Sequence, residues 1–254
     1  MNGMGWLVGL GLNLALWGVA SIAPKKLLTP EGYFHAVILG VLVWGCLDWQ
    51  GYLVVMIYFL LGSGVTRLGM AQKEAAGIAE KRSGMRGPEN VWGSALTATV
   101  CALAAWGLQQ FYPAGSSWVP ILILGYVASF ATKLSDTTAS EIGKAYGQRT
   151  FLITTFQAVP RGTEGAVSLE GTLAGIAGSL VIAIGAWGIQ LITPLGILIC
   201  VIAAFMATNA ESVIGATWQN EVEWLTNERV NIINTTIGAI GAMILGLLLQ
   251  ALQS

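Results

Sequence analysis

The side chains best suited to chemistry lie in one polar stretch, residues 133–175, which joins two long apolar blocks and carries eight of the chain's 25 charges. If this stretch is helical, the spacing i, i+4, i+7 and i+11 places a carboxylate, a hydroxyl and two glycines on one face: Asp136, Ser140, Gly143 and Gly147. The neighbouring stripe adds Thr137, Glu141 and Lys144. An acidic residue at a membrane boundary indicates a functional site, and a structural salt bridge from Asp136 to Lys133 or Lys144 is the alternative.

A glycine-flanked turn follows in the same stretch, residues 159–165, with the sequence VPRGTEG. A small-residue helix is expected to begin just after it, and the free N–H groups of helix starts and turns suit anions. The forked guanidinium of Arg161 could bind a phosphate. The residues that would surround such a phosphate are Gly162, Thr163, Glu164 and Gly165. The turn is not a Walker A motif, because it lacks the GKS or GKT ending.

Residues 63–93 form a basic stretch with five cations, namely Arg67, Lys73, Lys81, Arg82 and Arg86. They indicate either a wall for phosphates and lipid headgroups or a solvated loop that only sets topology. Arg67 and Lys73 lie nearest the predicted membrane boundary, so we expect them to contact phosphate.

The last polar stretch begins at Asn209 and places Glu211 four residues before Gly215. Three amides then fall at i, i+4 and i+7 at the start of the final apolar run: Asn227, Asn231 and Asn234. Amides on one face of a membrane helix need hydrogen-bonding partners. We expect Asn227 and Asn231 to bind a ligand and Asn234 to hold helices together.

Several other chemistries are disfavoured by composition. The single histidine, His35, cannot form a histidine-based metal site alone, and no Ser-His-Asp set, Cys-His pair or CxxC occurs. Each of the three cysteines falls inside an apolar run, which predicts helix packing rather than a disulfide or metal site. The net charge of −1 predicts no nucleic-acid partner.

The elements that position these groups must be membrane helices. The chain has 254 residues, of which 55% are hydrophobic and 10% charged, against about 25% charged in soluble domains. Three charge-free runs, 90–132, 171–210 and 230–254, each exceed the roughly 20 residues that cross a bilayer. The sequence therefore predicts an all-α polytopic membrane bundle of about seven or eight helices, forming a single domain over residues 1–254. The predicted spans are 5–23, 34–47, 51–66, 91–111, 119–133, 172–193, 195–210 and 231–251.

The basic residues define one side of this bundle. With eight alternating spans, all 12 lysines and arginines fall in the connections 24–33, 67–90, 134–171 and 211–230, with Lys133 at the edge of the third. The positive-inside rule makes this the cytoplasmic side. We expect segments 67–90, 134–171 and 211–230 to form the site there. The first apolar run lacks a basic n-region and no transit peptide is evident, which favours a bacterial protein or an already processed form. Glycine-rich helix faces permit a homodimer.

Carboxylates, cations, amides and glycine turns without an obvious nucleophile suit phosphoryl transfer, which needs positioning and charge neutralisation more than covalent catalysis. Mg²⁺ takes oxygen ligands, and Asp136, Glu141 and Glu211 can supply them. A site walled by membrane helices predicts a substrate with a lipid tail.

Five pieces in a fixed order carry a family resemblance over nearly the whole chain. They are SGVTRLG with a lysine in 63–73, SDTTASEIG in 135–143, VPRGTEGAVSLEGTLAG in 159–175, ESVIGATWQ in 211–219, and the pair Asn227 and Asn231. The set resembles the membrane family that includes phytyl-phosphate kinase of plants and cyanobacteria. The Asp-x-x-Ala-Ser-x-x-Gly core is also similar to CTP-using polyprenol and phytol kinases. Glu211 stands where the family often has aspartate, and residues 83–93 are less arginine-rich than the family's version, so Arg86 and Asn90 receive no role.

The resemblance implies a kinase that uses Mg²⁺ and CTP, or another nucleoside triphosphate, to convert a prenyl or phytyl monophosphate into the diphosphate for tocopherol and prenylquinone synthesis. It implies Asp136 and Glu211 as Mg²⁺ ligands with Glu141 in reserve. The phosphate-contacting cations would be Arg67, Lys73 and Arg161, with Asp136, Arg161 and Lys73 as the catalytic set. The remaining nucleotide and phosphate contacts would be Ser140, Lys144, Gly162, Thr163, Glu164, Gly165, Asn227 and Asn231. The implied location is a cyanobacterial inner or thylakoid membrane.

Two alternatives remain open from the residues themselves. A transporter or flippase for a phosphorylated lipid or small anion would use the same cations, but it should hold its polar groups near the bilayer midplane. A lipid cytidylyltransferase would use the same kind of nucleotide donor and metal ion. It would differ in the phosphorus of the nucleotide that the lipid attacks. The kinase makes a lipid diphosphate, whereas the cytidylyltransferase makes a CDP-lipid and pyrophosphate.

Overall fold

The computed structural model describes residues 3–112, 117–219 and 221–253. These residues form the helices α1 (Met4–Ile22), α2 (Pro30–Arg67), α3 (Met70–Ala75), α4 (Pro88–Phe111), α5 (Val119–Tyr146), α6 (Leu169–Gly188), α7 (Pro194–Thr217) and α8 (Asn227–Gln253). A 3-10 turn spans Lys81–Gly84, and two short strands, β1 (Thr150–Leu152) and β2 (Ala166–Ser168), pair antiparallel. Within the described residues, all these α-helices except the short α3 are long and apolar enough to cross a membrane. The predicted polytopic helical membrane bundle is confirmed.

Helix α2 folds back on itself. A straight helix would separate residues 32 and 62 by about 45 Å. However, a side chain at Gly32 would meet the Arg86 carbonyl oxygen, and one at Gly62 would meet the Arg86 guanidinium. Both ends of α2 therefore lie next to Arg86. The reversal is at Asp48, whose φ of 56° and ψ of −160° interrupt the helix. The two halves of the 38-residue element correspond to the predicted second and third spans.

Helix α5 is the centre of the bundle and packs against α2, α4, α6, α7 and α8. The aromatic side chains of Tyr126 and Phe130 on α5 are fully buried. Helix α6 approaches α5 through glycines, since a Cβ atom at Gly171 would lie 2.6 Å from the Ala139 carbonyl oxygen. The spacing of Gly171 and Gly175 four residues apart is typical of helices whose backbones pack closely.

Side-chain caps and prolines fix helix starts at both ends of the bundle. Thr29 accepts a hydrogen bond from the Gly32 amide at α2, and Ser168 accepts one from the Gly171 amide at α6. Thr193 caps α7, with a proline at its first position. These caps satisfy amide groups that a helix leaves unpaired at its start.

Two predicted spans were too short. The predicted span 119–133 continues as α5 to Tyr146, and the predicted span 195–210 continues as α7 to Thr217. Polar side chains of α7 hydrogen-bond to carbonyls one turn earlier, as Asn209 does to Phe205 at 2.7 Å and Ser212 to Thr208 at 3.1 Å. These polar side chains are therefore satisfied within the helix where hydropathy falls. The strand pair between α5 and α6 was also missed by the all-α prediction.

The three cysteines are buried inside helices, as their apolar surroundings predicted, and the single histidine has a hydrogen-bond partner. Cys46, Cys101 and Cys200 are buried and free of disulfides. The Nδ1 atom of His35 accepts a hydrogen bond from the Trp92 indole at 2.9 Å, so this histidine is a satisfied side chain at a helix interface.

Candidate functional site

A polar cavity of about 690 Å³ lies at the end of the bundle where the basic connections meet. Its walls come from the end of α2, the segment 77–94, and the polar ends of α5, α7 and α8. It brings together nine residues selected from the sequence: Asp136, Ser140, Glu141, Lys144, Gly162, Glu164, Glu211, Asn227 and Asn231. Residues from the three predicted polar segments therefore share one cavity.

The strongest feature of the cavity is a pair of neighbouring carboxylates from α5 and α7. Asp136 and Glu211 line both polar cavities and lie near enough for their carboxylates to interact electrostatically. The Lys133 ammonium donates to Asp136 at 2.5 Å and to the Asn231 side-chain oxygen at 2.8 Å. One ammonium does not balance two carboxylates, so the arrangement suits an additional cation. The salt bridge considered as an alternative role for Asp136 exists, and it is part of this cluster.

A second cavity of about 100 Å³ lies between the 162–165 turn, α5, α6 and α7. It shares six residues with the large cavity: Asp136, Ser140, Lys144, Gly162, Glu164 and Glu211. The carboxylate pair is therefore at the junction of two polar spaces. Ser140 is exposed there, and Lys144 lines both spaces.

The turn 160–165 owes its shape to close backbone packing. Gly162 and Gly165 have positive φ angles of 83° and 75°. A side chain at Gly162 would lie 2.6 Å from Ile78, and one at Gly165 would lie 2.5 Å from the Ser212 carbonyl oxygen. Only glycine fits both demands. Thr163 lines the small cavity and donates to the Pro160 carbonyl at 2.8 Å.

Lys73 and Glu141 form a separate buried ion pair. Lys73 is 1% exposed, and its ammonium donates to Glu141 and, at 2.7 Å, to the Thr66 carbonyl. Lys73 does not line the large cavity, and its predicted contact with phosphate stays a prediction. Because the Glu141 carboxylate is engaged by Lys73, it is a poor reserve metal ligand. Among the described residues, no three His, Cys, Asp or Glu side chains form a metal-binding group.

Arg67 and Arg161 also differ from their predicted positions. Arg67 donates to the Lys26 carbonyl at 3.2 Å, and Arg161 donates to the Ala145 carbonyl at 3.2 Å. Neither lines the two polar cavities. Their places along the chain were suitable, but the direction of a long side chain depends on helix rotation and turn geometry, which sequence spacing does not specify.

The three amides have different environments. Asn227 is exposed at the start of α8 and accepts a hydrogen bond from Gln219, while Asn231 accepts from Lys133. Asn234 is fully buried, and neither polar atom of its side chain has a hydrogen-bond partner among the described residues. The expectation that Asn234 links helices by hydrogen bonds is therefore wrong for the structure described.

Arg86, which received no predicted role, lines the wall of the large cavity. Its Nη1 atom donates to the Tyr58 hydroxyl at 2.7 Å, and its guanidinium lies 5.2 Å from the centre of the Tyr58 ring. The Tyr58 hydroxyl donates in turn to Ser94 at 2.8 Å. Arg86 was one of five cations in a basic stretch, and only the folding of α2 distinguishes it from the others.

These features define a polytopic membrane protein with a polar, carboxylate-containing cavity at one end of its helices. The chain belongs to the family described as "Integral membrane protein DUF92", whose profile matches residues 13–239. This membership agrees with the family resemblance noted from the sequence.

Three relatives show how far the similarity extends. The chain is 64% identical over 235 residues to an uncharacterized membrane protein of Synechocystis sp., covering 92% of this chain and 88% of the relative. It is 43% identical over 242 residues to "Protein VTE6, chloroplastic" of Arabidopsis thaliana, covering 94% and 72%. It is 32% identical over 237 residues to an uncharacterized membrane protein of Methanocaldococcus jannaschii, covering 92% and 93%. No solved structure matches the chain.

Proposed function

We propose that this protein is a membrane lipid kinase that transfers the γ-phosphoryl group of a nucleoside triphosphate to a prenyl monophosphate such as phytyl phosphate. The observation that carries the proposal is the Asp136–Glu211 pair at the junction of two polar cavities, with cations on the surrounding wall. The similarity to Protein VTE6 and the resemblance to phytyl-phosphate kinases support the same reaction class.

In this reaction a phosphate oxygen of the lipid forms a bond to the γ-phosphorus, and the bond from that phosphorus to the β–γ bridging oxygen breaks. The products are the prenyl diphosphate and a nucleoside diphosphate. The acceptor oxygen is already anionic near neutral pH, so no general base is required. Catalysis then depends on alignment and on neutralising phosphate charge.

Different residues of the two cavities would align the substrates and neutralise their charge. Lys144 and Arg86 face the large cavity as cations for phosphate oxygens. Lys133 holds Asp136 in place, and the exposed hydroxyl of Ser140 offers a hydrogen bond at the junction. The Gly162–Gly165 turn closes the small cavity, where its backbone can approach a nucleotide phosphate.

Asp136 and Glu211 fit Mg²⁺, which commonly binds one or two carboxylates together with substrate phosphates. When bound there, Mg²⁺ would neutralise triphosphate charge. CTP is the first donor to test because of the resemblance to CTP-using lipid kinases. We assign the site to the cytoplasmic face of a cyanobacterial inner or thylakoid membrane, on the positive-inside rule and the Synechocystis relative. The product would supply tocopherol and prenylquinone synthesis.

The test is a product assay on detergent-purified protein with Mg²⁺, phytyl monophosphate and each nucleoside triphosphate, with lipids resolved by mass. We expect phytyl diphosphate with the correct donor. Asp136→Asn should lower the rate by at least about 100-fold, as loss of a key electrostatic group does in other enzymes. Glu223→Gln, which removes an exposed carboxylate away from both polar cavities, is the matched control.

Other outcomes select the alternatives. A CDP-lipid with pyrophosphate would identify a cytidylyltransferase. Folded protein that turns over no lipid phosphate with any donor would contradict the kinase and direct attention to transport of a phosphorylated lipid, measured as uptake in vesicles.

A further inference from the structure

An apolar groove of about 300 Å³ lies between α1, both halves of α2, and α4. Its surface is almost entirely hydrocarbon, contributed by side chains such as Leu16, Val19, Ala36 and Val55. At one end the groove shares four residues with the large polar cavity: Tyr58, Arg86, Asn90 and Ser94. An apolar channel that ends at a cation and two polar side chains matches an amphiphile with an anionic head.

We propose that this groove holds the hydrocarbon tail of the lipid acceptor and that Arg86 binds the acceptor's phosphate where the groove meets the polar cavity. This inference rests on the proposed kinase function, since it assigns the place and the residue by which the prenyl monophosphate is recognised.

The backbone of Arg86 is fixed by contacts with the chain before α2. Its amide donates to the Leu27 carbonyl at 3.0 Å, and its carbonyl accepts from the Thr29 amide at 3.0 Å. The absence of a side chain at Gly62 gives the guanidinium room, because a Cβ atom there would lie 2.8 Å from Nη2. The fold therefore places this cation between the groove and the cavity.

The guanidinium also has capacity for a ligand. Arginine carries five N–H donors, and one of the two terminal nitrogens of Arg86 donates to Tyr58. Within the described part of the chain, no carboxylate forms a salt bridge with Arg86. An arginine with free donors and no salt-bridge partner is suited to a phosphate, which it can bind through two parallel hydrogen bonds.

Tyr58 connects Arg86 to the transfer site. Its hydroxyl accepts from Arg86, and Tyr58 lines the large cavity together with Lys133, the partner of Asp136. A phosphate held at Arg86 therefore faces the same cavity as the carboxylate pair. The acceptor would enter from the groove, and the nucleotide would occupy the polar spaces around Asp136 and Glu211.

The groove should select by shape rather than by hydrophobicity. A tail that leaves the bilayer for the groove exchanges one hydrocarbon surface for another, so it gains little from hydrophobic burial. The benefit of the groove is alignment, because a tail in a fixed path presents its phosphate to Arg86 in a fixed place.

The first test changes the groove. Ala36→Phe introduces a ring into the groove, whereas Ala104→Phe places the same ring on the exposed face of α4 and serves as the control. We expect Ala36→Phe to lower the ratio of kcat/KM for phytyl phosphate to kcat/KM for isopentenyl phosphate by roughly tenfold, through KM for the long substrate. Ala104→Phe should leave that ratio unchanged, and an unchanged ratio in Ala36→Phe would overturn the inference.

The second test changes Arg86. Arg86→Gln should raise KM for long and short acceptors alike, because both carry the same phosphate. Arg86→Lys should restore part of the loss, since it keeps the charge but not the forked geometry. A substitution at Arg86 that affects only unfolding, with unchanged KM in the remaining folded protein, would contradict its role in phosphate binding.

The third test needs no turnover. A prenyl phosphate with a photoreactive diazirine in its tail should label peptides of α1, the first half of α2 and α4, and Ala36→Phe should reduce that labelling. Excess phytyl phosphate should compete, whereas a diacyl phosphatidate, which carries a similar head on two tails, should not. Groove labelling without any kinase activity would support the lipid site and refute the kinase. Kinase activity with labelling elsewhere, or equal competition by phosphatidate, would refute the groove as the selective acceptor site.

Discussion

At the scale of single residues, the polar end of the bundle separates charges that hold the structure from charges that face a ligand. Lys73 and Glu141 form a buried ion pair, in which Glu141 lines the large cavity and Lys73 does not. A second cluster lies at the junction of the two polar cavities, where the single ammonium of Lys133 faces the two carboxylates of Asp136 and Glu211. The first group should therefore affect stability, and the second should affect activity.

The Lys73–Glu141 pair gives a direct test of this division. Lys73→Met should destabilise the protein by about 3–5 kcal/mol, because it leaves the buried Glu141 carboxylate without its partner. Arg82→Met, which breaks an exposed pair with Glu89, should cost about 1 kcal/mol or less. Denaturant or thermal unfolding in one detergent compares the two variants, and equal losses would show that Lys73 is not structurally distinct.

Nine residues selected from the sequence line the large cavity, but the directions of the longest side chains could not be predicted. Helical spacing correctly grouped Asp136 with Ser140, since positions four apart on a helix share a face. Arg67 and Arg161 point to carbonyl oxygens elsewhere, and Arg86 faces the cavity instead. A flexible side chain can reach several places from one backbone position, so only the folded backbone decides among them.

At the scale of elements, the site depends on the close packing of α6 against α5. The glycines of α6 let Ala139 and Ser135 of α5 lie against its backbone. Since Asp136 and Ser140 are on the same segment of α5, any shift of α6 should move the carboxylate relative to Glu211 on α7.

Gly171→Ala tests this packing. A Cβ atom there would lie 2.6 Å from a backbone oxygen, so the helices must separate and we expect a loss of about 1–3 kcal/mol together with reduced activity. Gly188→Ala is the matched control, because it is on the same helix and its Cβ atom would meet nothing within 4 Å. Unfolding and turnover of both variants provide the measurement. Full stability and activity in Gly171→Ala would mean that the contact is not required.

The helix interiors could be predicted from hydropathy and glycine spacing, whereas the helix ends could not. A span predicted from hydropathy stops at the first charge, but α5 continues through Lys133 and Asp136 because these two side chains pair one turn apart. The strand pair β1–β2 has only three residues in each strand, which is too short for an alternating pattern to be distinguished from a loop.

At the scale of the whole molecule, the reversal of α2 at Asp48 explains how the polar connections reach one end. Because both ends of α2 lie at Arg86, the segment 67–90 returns to the side of the bundle that holds residues 25–29. The side-chain amide of Gln50, next to the reversal, donates to the Ile189 carbonyl at the far end of α6. The sequence predicted this alternation from its basic residues, since a membrane allows a segment only two sides.

The reversal predicts that residues 49 and 148 lie on opposite sides of the membrane. Cysteines introduced as Trp49→Cys and Gln148→Cys, both at exposed positions, should react with a membrane-impermeant thiol reagent from opposite faces of sealed vesicles. The three native cysteines are buried, and the unsubstituted protein measures their background. Labelling of both sites from the same face would contradict the reversal.

The most direct test of the central claim is to follow the nucleotide's phosphorus atoms into the lipid. Purified protein would receive phytyl monophosphate and Mg²⁺ with a donor labelled at either the γ- or the α-phosphorus. We expect the γ-label to enter the lipid and the α-label to stay with the nucleotide. Asp136→Asn should abolish transfer, whereas Glu223→Gln should not. Entry of α-label into the lipid, or transfer that persists in Asp136→Asn, would contradict phosphoryl transfer at the Asp136–Glu211 pair.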